Sequence, residues 1–222
     1  MVETKIIILD QQEIVYKIHY KRIKNCYLRV EKGEVVIRCS PLFPQSEIEK
    51  LIRNHQEEIL EQIKGYVPKY NYQEDGYVYL FNQKYQIVLK DMNIKKWALH
   101  DHQIYVYSKN IQATIEMFLK QELMNYLKER IDFYLSTSFH HVFPEIQIKK
   151  MKRRWGACFY QKNRVCFNLV LAHIDYALID YVIVHELCHF LEANHSKAFY
   201  HEIKKRMPDY KERERLLKDV GI

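Results

Sequence analysis

Between Tyr181 and Tyr200 the chain reads YVIVHELCHFLEANHSKAFY, and no other segment restricts the fold as much. Within it, His185-Glu186-Leu187-Cys188-His189 carries two histidines four residues apart. On a helix that interval puts both imidazoles on one face, about one turn apart, where they can aim at a single metal ion. The H-E-x-x-H pattern is one that zinc sites use, with the glutamate as general base. Glu186 stands one helical step, about 100°, from the first ligand, so it can meet a metal-activated water without entering the coordination shell. The apolar run Tyr181-Val182-Ile183-Val184 ahead of the motif places the predicted helix inside a packed domain.

A catalytic zinc takes three protein ligands and leaves a fourth position for water. His195 is the third candidate. It follows His189 by the same interval as in H-E-x-x-H-x-x-G-x-x-H sequences, with Glu192 where those carry glycine. A turn is expected at Ala193-Asn194 instead, because Asn tolerates left-handed backbone angles.

The rest of the chain supplies a setting for this segment. Its 222 residues, 48% apolar and 28% charged, are enough to bury a core, which excludes wholesale disorder and fibrous repeats. The 35 Lys and Arg outnumber the 28 Asp and Glu by seven, a balance that favours anionic surroundings without naming a partner. Five cysteines without a C-x-x-C pair argue against a disulfide framework or a zinc ribbon and favour a reducing, cytoplasmic setting. The amino terminus lacks the pattern of a signal peptide, and no apolar run approaches the roughly 18 residues of a membrane span.

Period-two apolar patterns predict strands over 4–9, 13–20, 26–30 and 35–39, the last two joined as a hairpin at 31–34. One helix follows, opened by a Ser46/Glu49 capping box and ended at Gly65 and Pro68, then a loop over 67–76. Strands are expected at 77–80, 84–89 and 103–107. The period turns helical from Ile111 to Leu135, so a domain boundary is placed near residue 108, giving parts 1–108 and 109–222. Strands at 145–151 and 164–170 and helices near 175–192, 196–206 and 209–219 complete the chain. None of the four histidines before residue 109 has a helix-borne partner, so the first part is expected to shape substrate access without supplying a ligand.

Several motifs together resemble the YgjP-like metallopeptidases, relatives of the WLM and SprT-like zincins. They are Arg154-Trp155-Gly156-Ala157-Cys158, Phe167-Asn168, Asp180-Tyr181-Val182 before the metal helix, and Asn194-His195-Ser196 with Phe199 after it. The likeness is strongest from Ile146 onward. It departs from the usual pattern at Ala157, Cys188 and Tyr200, none of which puts the ligands or the base in doubt. The resemblance implies an α+β fold: a strand-rich amino-terminal part with one helix, then a zincin-like α/β catalytic part with an active-site helix. It also implies a zinc-dependent hydrolase acting on peptide or protein substrates, with Zn2+ held by His185, His189 and His195. In this reading the 164–170 strand resembles the zincin edge strand, and Asn168 and Arg154 are candidate substrate contacts.

Two rival readings remain. The basic run Lys149, Lys150, Lys152, Arg153 and Arg154 suits a metal-dependent nucleotide phosphohydrolase, although three histidines fit zinc better than magnesium and there is no P-loop. The same run beside Trp155 suits a nucleic-acid-associated module with a structural zinc, although a solvated strand end explains it more simply. Cys158 and Cys166 could face one another across a hairpin. His140, His141, His173 and His201 are read as surface residues, and Tyr160, Tyr181 and Tyr200 as packing residues that could also supply a phenol to the site.

Overall fold

The computed structural model describes residues 2–31, 33–65, 70–90 and 92–220. The chain forms two compact units, Met1–Pro68 and Lys69–Ile222.

In the first unit, β1 (Val2–Leu9), β2 (Gln12–Tyr20), β3 (Tyr27–Glu31) and β4 (Glu34–Cys39) make one sheet in the order β1-β2-β4-β3. Asp10 and Gln11, both left-handed, close the β1–β2 hairpin in two residues. Ile14, Tyr16, Ile18, Val35 and Ile37 turn to the buried face. There they meet Ile48 and Ile52 of α1 (Gln45–Asn54) and Ile59 and Leu60 of α2 (Gln56–Gly65). The single expected helix is therefore two, broken at His55, whose φ of −113° and ψ of 20° leave the helical region. Nor does the capping box form. Pro44 takes the N-cap position with its φ fixed near the required value, so Ser46 already lies in the first turn and Glu49 instead accepts a hydrogen bond from Gln45. Lys32 of the expected β3–β4 turn and Pro68 lie outside the described residues.

The second unit begins with a five-stranded sheet, order β5-β6-β7-β9-β8, made of β5 (Tyr70–Asn71), β6 (Tyr77–Leu80), β7 (Gln83–Lys90), β8 (Lys96–His100) and β9 (Gln103–Tyr107). Two of these were not foreseen: β5 lies within the expected loop, and β8 is an edge strand whose mostly exposed residues carry no alternating apolar signal. Helix α3 (Ile111–Tyr134) starts where Asn110 accepts from the Ala113 N–H at 3.0 Å, and it runs on into a π-helical turn, Leu135–Phe139. Its buried stripe of Ile115, Phe118, Leu119, Leu123, Leu127 and Ile131 shares one core with Val78, Ile87, Ile104 and Val106 of the sheet. The 70–107 strands thus share a core with the helical region that follows them, and both lie in the compact unit Lys69–Ile222.

A three-stranded sheet follows, order β10-β12-β11, from β10 (Glu145–Lys149), β11 (Gly156–Phe159) and β12 (Arg164–Asn168), with β10 parallel and β11 antiparallel to β12. Strand β11 was not foreseen because four residues with two small side chains carry no β pattern. Helices α4 (Tyr176–Cys188), α5 (Lys197–Arg206) and α6 (Tyr210–Val220) close the chain. The architecture is mixed α+β, strand-rich at the amino-terminal end and helical toward the carboxyl end. No helix among the described residues is long and apolar enough to cross a membrane.

Candidate metal centre

Helix α4 starts at Asp175, whose side chain accepts from the Ala177 N–H at 2.8 Å. It is apolar almost all round, with Ile179, Val182, Ile183, Val184 and Leu187 buried. The polar exception near its middle, Asp180, receives hydrogen bonds from Tyr126, Arg130 and Tyr134 of α3 at 2.7–3.1 Å. A buried carboxylate with four such donor contacts is fully compensated, and it ties α4 to α3.

Five and nine residues further on stand His185 and His189. The chain continues as a tight turn, with the Leu191 and Glu192 N–H groups both bonded to the Cys188 carbonyl, and reaches His195 without a left-handed residue between. The expected left-handed turn at Ala193-Asn194 is therefore absent. Ser196 then caps α5 by accepting from the Phe199 N–H at 3.3 Å, which swings Phe199 back under the histidines. Its ring centroid lies 5.0, 4.6 and 4.8 Å from those of His185, His189 and His195.

The three histidines each offer a nitrogen, all within 4.8 Å of one another, and the Nε2 atoms of His185 and His195 are 3.0 Å apart. Tetrahedral ligands at zinc–nitrogen distances would stand roughly 3.3 Å apart, so this cluster fits a small divalent ion. The His189 Nδ1 lies 3.2 Å from the Glu192 carbonyl oxygen. With the proton on Nδ1, that contact leaves Nε2 free to ligate. Burial, reinforced by the neighbouring imidazoles, depresses the His185 pKa to about 3, and burial lowers that of His189. Both rings are neutral at pH 7 and need lose no proton to bind a cation.

Glu186 is 5% exposed. Burial pushes its carboxyl up to about 8, against the opposing pull of a Cys158 backbone N–H and the Arg154 guanidinium. A cation held by the adjacent imidazoles would pull in the same direction as those two groups. All four residues line one cavity of about 630 Å³, whose other walls include Arg154, Trp155, Tyr160, Tyr181 and, from α6, Leu217.

The sequence model described as YgjP-like, metallopeptidase domain, matches residues 24–220. The chain belongs to this family. It is a metallopeptidase: a hydrolase that works with a divalent metal ion on peptide or protein substrates. No curated protein matches the chain. Among solved structures it is similar to the metallopeptidase zymogen of Pyrococcus abyssi abylysin, at 16% identity and a TM-score of 0.39, over 42% of this chain and 94% of that one. It is also similar to the zymogen of Methanocaldococcus jannaschii jannalysin, at 25% identity and 0.39, over 43% and 97%.

Other candidate residues of the YgjP-like chain fall differently. Arg154 is exposed on the cavity wall. Asn168 is 2% exposed and does not line the cavity. Its side chain spans the loop that carries Arg154 and Trp155, donating to the Met151 and Arg154 carbonyls at 2.8 Å and accepting from the Met151 N–H at 3.2 Å. Strand β12 is the middle strand of its sheet, flanked on both sides, so the free edge beside the site belongs to β11. The basic run is dispersed: Lys150 pairs with Glu116 of α3, and only Arg154 reaches the cavity. Cys158 is opposite Val165 and Cys166 opposite Ala157, so the two thiols point to opposite faces of the sheet. His173 is buried, not on the surface, with Nδ1 2.7 Å from the Tyr79 carbonyl oxygen. Gly156 and the Cys158 N–H, which contact Glu186, had no role assigned from sequence. Their one visible signal was the Arg154-Trp155-Gly156-Ala157-Cys158 motif, which carried the resemblance without giving either of them a role.

Proposed function

We propose that the metal is zinc, held by His185, His189 and His195, and that Glu186 is the general base of peptide-bond hydrolysis. The observation that carries this reading is the convergence of three imidazoles in one cavity with a buried carboxylate beside them. A zinc ion bound there would polarise the scissile carbonyl and bring the pKa of its water to about 7. Glu186 takes a proton from the attacking water on a carboxylate oxygen and returns it to the leaving amide nitrogen. The free edge of β11 pairs with an extended substrate backbone, while Trp155, Val182 and Leu217 wall the cavity against solvent. Arg154, at the rim, reaches the substrate. Five free thiols suit a reducing, cytoplasmic setting.

The test combines metal analysis with kinetics on a peptide library. Purified protein should hold about one zinc per chain, and His185→Ala, His189→Ala and His195→Ala should each weaken it. Glu186→Gln should keep the zinc while turnover falls at least the roughly 10²–10⁴-fold that general acid–base catalysis contributes. Near-normal turnover in the Gln variant would remove Glu186 as the base. Full zinc affinity in His195→Ala would remove it as a ligand.

A further inference from the structure

Gly156 opens β11 with an ordinary backbone conformation; Gly33 is the one glycine described with a positive φ. Its lack of a side chain therefore answers to space. A Cβ built on it would sit 2.5 Å from Glu186 Oε1, 2.7 Å from Cγ and 2.8 Å from Cδ. The whole acidic side chain lies against the Gly156 α-carbon. Two residues on, the Cys158 N–H is turned toward the same carboxylate and favours its charged form.

The strand's pairing explains why that donor is available. The Trp155 carbonyl accepts from the Asn168 N–H at 2.8 Å, and Ala157 stands opposite Cys166 in β12. Main-chain groups alternate along an antiparallel strand, so residues 155 and 157 turn theirs toward β12 while 156 and 158 turn theirs to the free edge. That edge faces Glu186 on α4. The Glu186 carboxylate thus lies against the bare Gly156 α-carbon, beside a main-chain edge whose N–H groups β12 does not use.

We infer that Gly156 and the Cys158 main chain form a cradle on the β11 edge that positions the Glu186 carboxylate for proton transfer. They are positioning residues, acting through Glu186. The cradle also takes one main-chain donor out of the edge, so a substrate strand pairing with β11 must bond around the Cys158 N–H. This inference rests on the reading of Glu186 as base, and two measurements keep the two claims apart.

The first requires no turnover. In amide NMR of the full chain, with and without metal, the Cys158 N–H should be shifted downfield and protected from exchange, and Glu186→Ala should abolish both. An amide unchanged by Glu186→Ala overturns the cradle, whatever the base proves to be. The second is kinetic. Gly156→Ala should keep about one metal per chain and a KM within about threefold, while kcat falls on the order of 10²-fold, as for a displacement of about 1 Å in a reacting group. In a Glu186→Gln background the same substitution should cost less than about threefold, because no base remains to displace. Normal kcat in Gly156→Ala overturns the inference, and so does an equal loss in both backgrounds, which would place the damage in the strand itself. Should Gly156→Ala not fold, the Cys158 amide decides alone. Near-normal turnover in Glu186→Gln would instead bring down the base assignment and leave the amide result to judge the contact.

Discussion

Phe199 is fully buried, and its ring rests against all three imidazoles, so its packing and the convergence of the three ring nitrogens are one structural event. Removing a buried phenyl costs both transfer energy and a cavity that the surroundings close only partly. Phe199→Ala should destabilise the metal-free protein by roughly 3–5 kcal/mol in chemical denaturation. It should also weaken metal binding by about 10–100-fold in a chelator-competition titration, the usual effect of disturbing the shell around ligating histidines. Phe199→Leu should be milder on both counts. Unchanged metal affinity in the alanine variant would show that the rings are oriented without this support. His189 has an additional restraint in the Glu192 carbonyl.

At the scale of elements, α4 is what the site hangs on, and its rotation matters because a helix turned by one residue would send a histidine into the core. Its apolar surface is nearly continuous and distinguishes one rotation from the next only weakly. The Asp180 cluster selects one, since Tyr126, Arg130 and Tyr134 meet its two carboxylate oxygens from a single face of α3. Asp180→Ala would leave the Arg130 guanidinium, only 26% exposed, without its anion. The expected loss is about 3 kcal/mol, the low end for breaking a buried pair because both partners retain some water contact. Thermal unfolding should shift down by on the order of 10 °C. If Tm holds, the cluster does not bear on stability and the rotation of α4 is set by packing alone.

For the molecule as a whole, the compact unit from Lys69 carries its own core, and this can be tested by cutting the chain. Truncation to 109–222 removes Val78, Leu80, Phe81, Ile87, Ile104 and Val106 from that core. At roughly 1.5–3 kcal/mol for each buried apolar side chain, the loss reaches the 5–15 kcal/mol that stabilises a whole domain. A 109–222 fragment should therefore show no cooperative unfolding, whereas a 69–222 fragment should fold and bind one metal ion by calorimetry. A well-folded 109–222 fragment would move the boundary back to where the change of period from two to 3.6 suggests it.

The parts legible in the sequence are those whose signal is local. The spacing of His185 and His189 on an apolar helix, the helical stripe from Ile111, and the strands with one wet face all follow from periodicities that a few neighbouring residues define. His195 was reachable because six residues of chain cannot carry it far from His189. Tertiary structure decided the rest. It split the helix at His55, gave the free sheet edge to β11 instead of β12, committed Asn168 to loop carbonyls, and brought Gly156 against Glu186. The last three of these depend on partners distant in sequence, and a glycine needed for space looks in sequence like a glycine needed for a turn. The histidine triad is written in one stretch of chain; the surface that holds the carboxylate beside it exists only once a strand and a helix have met.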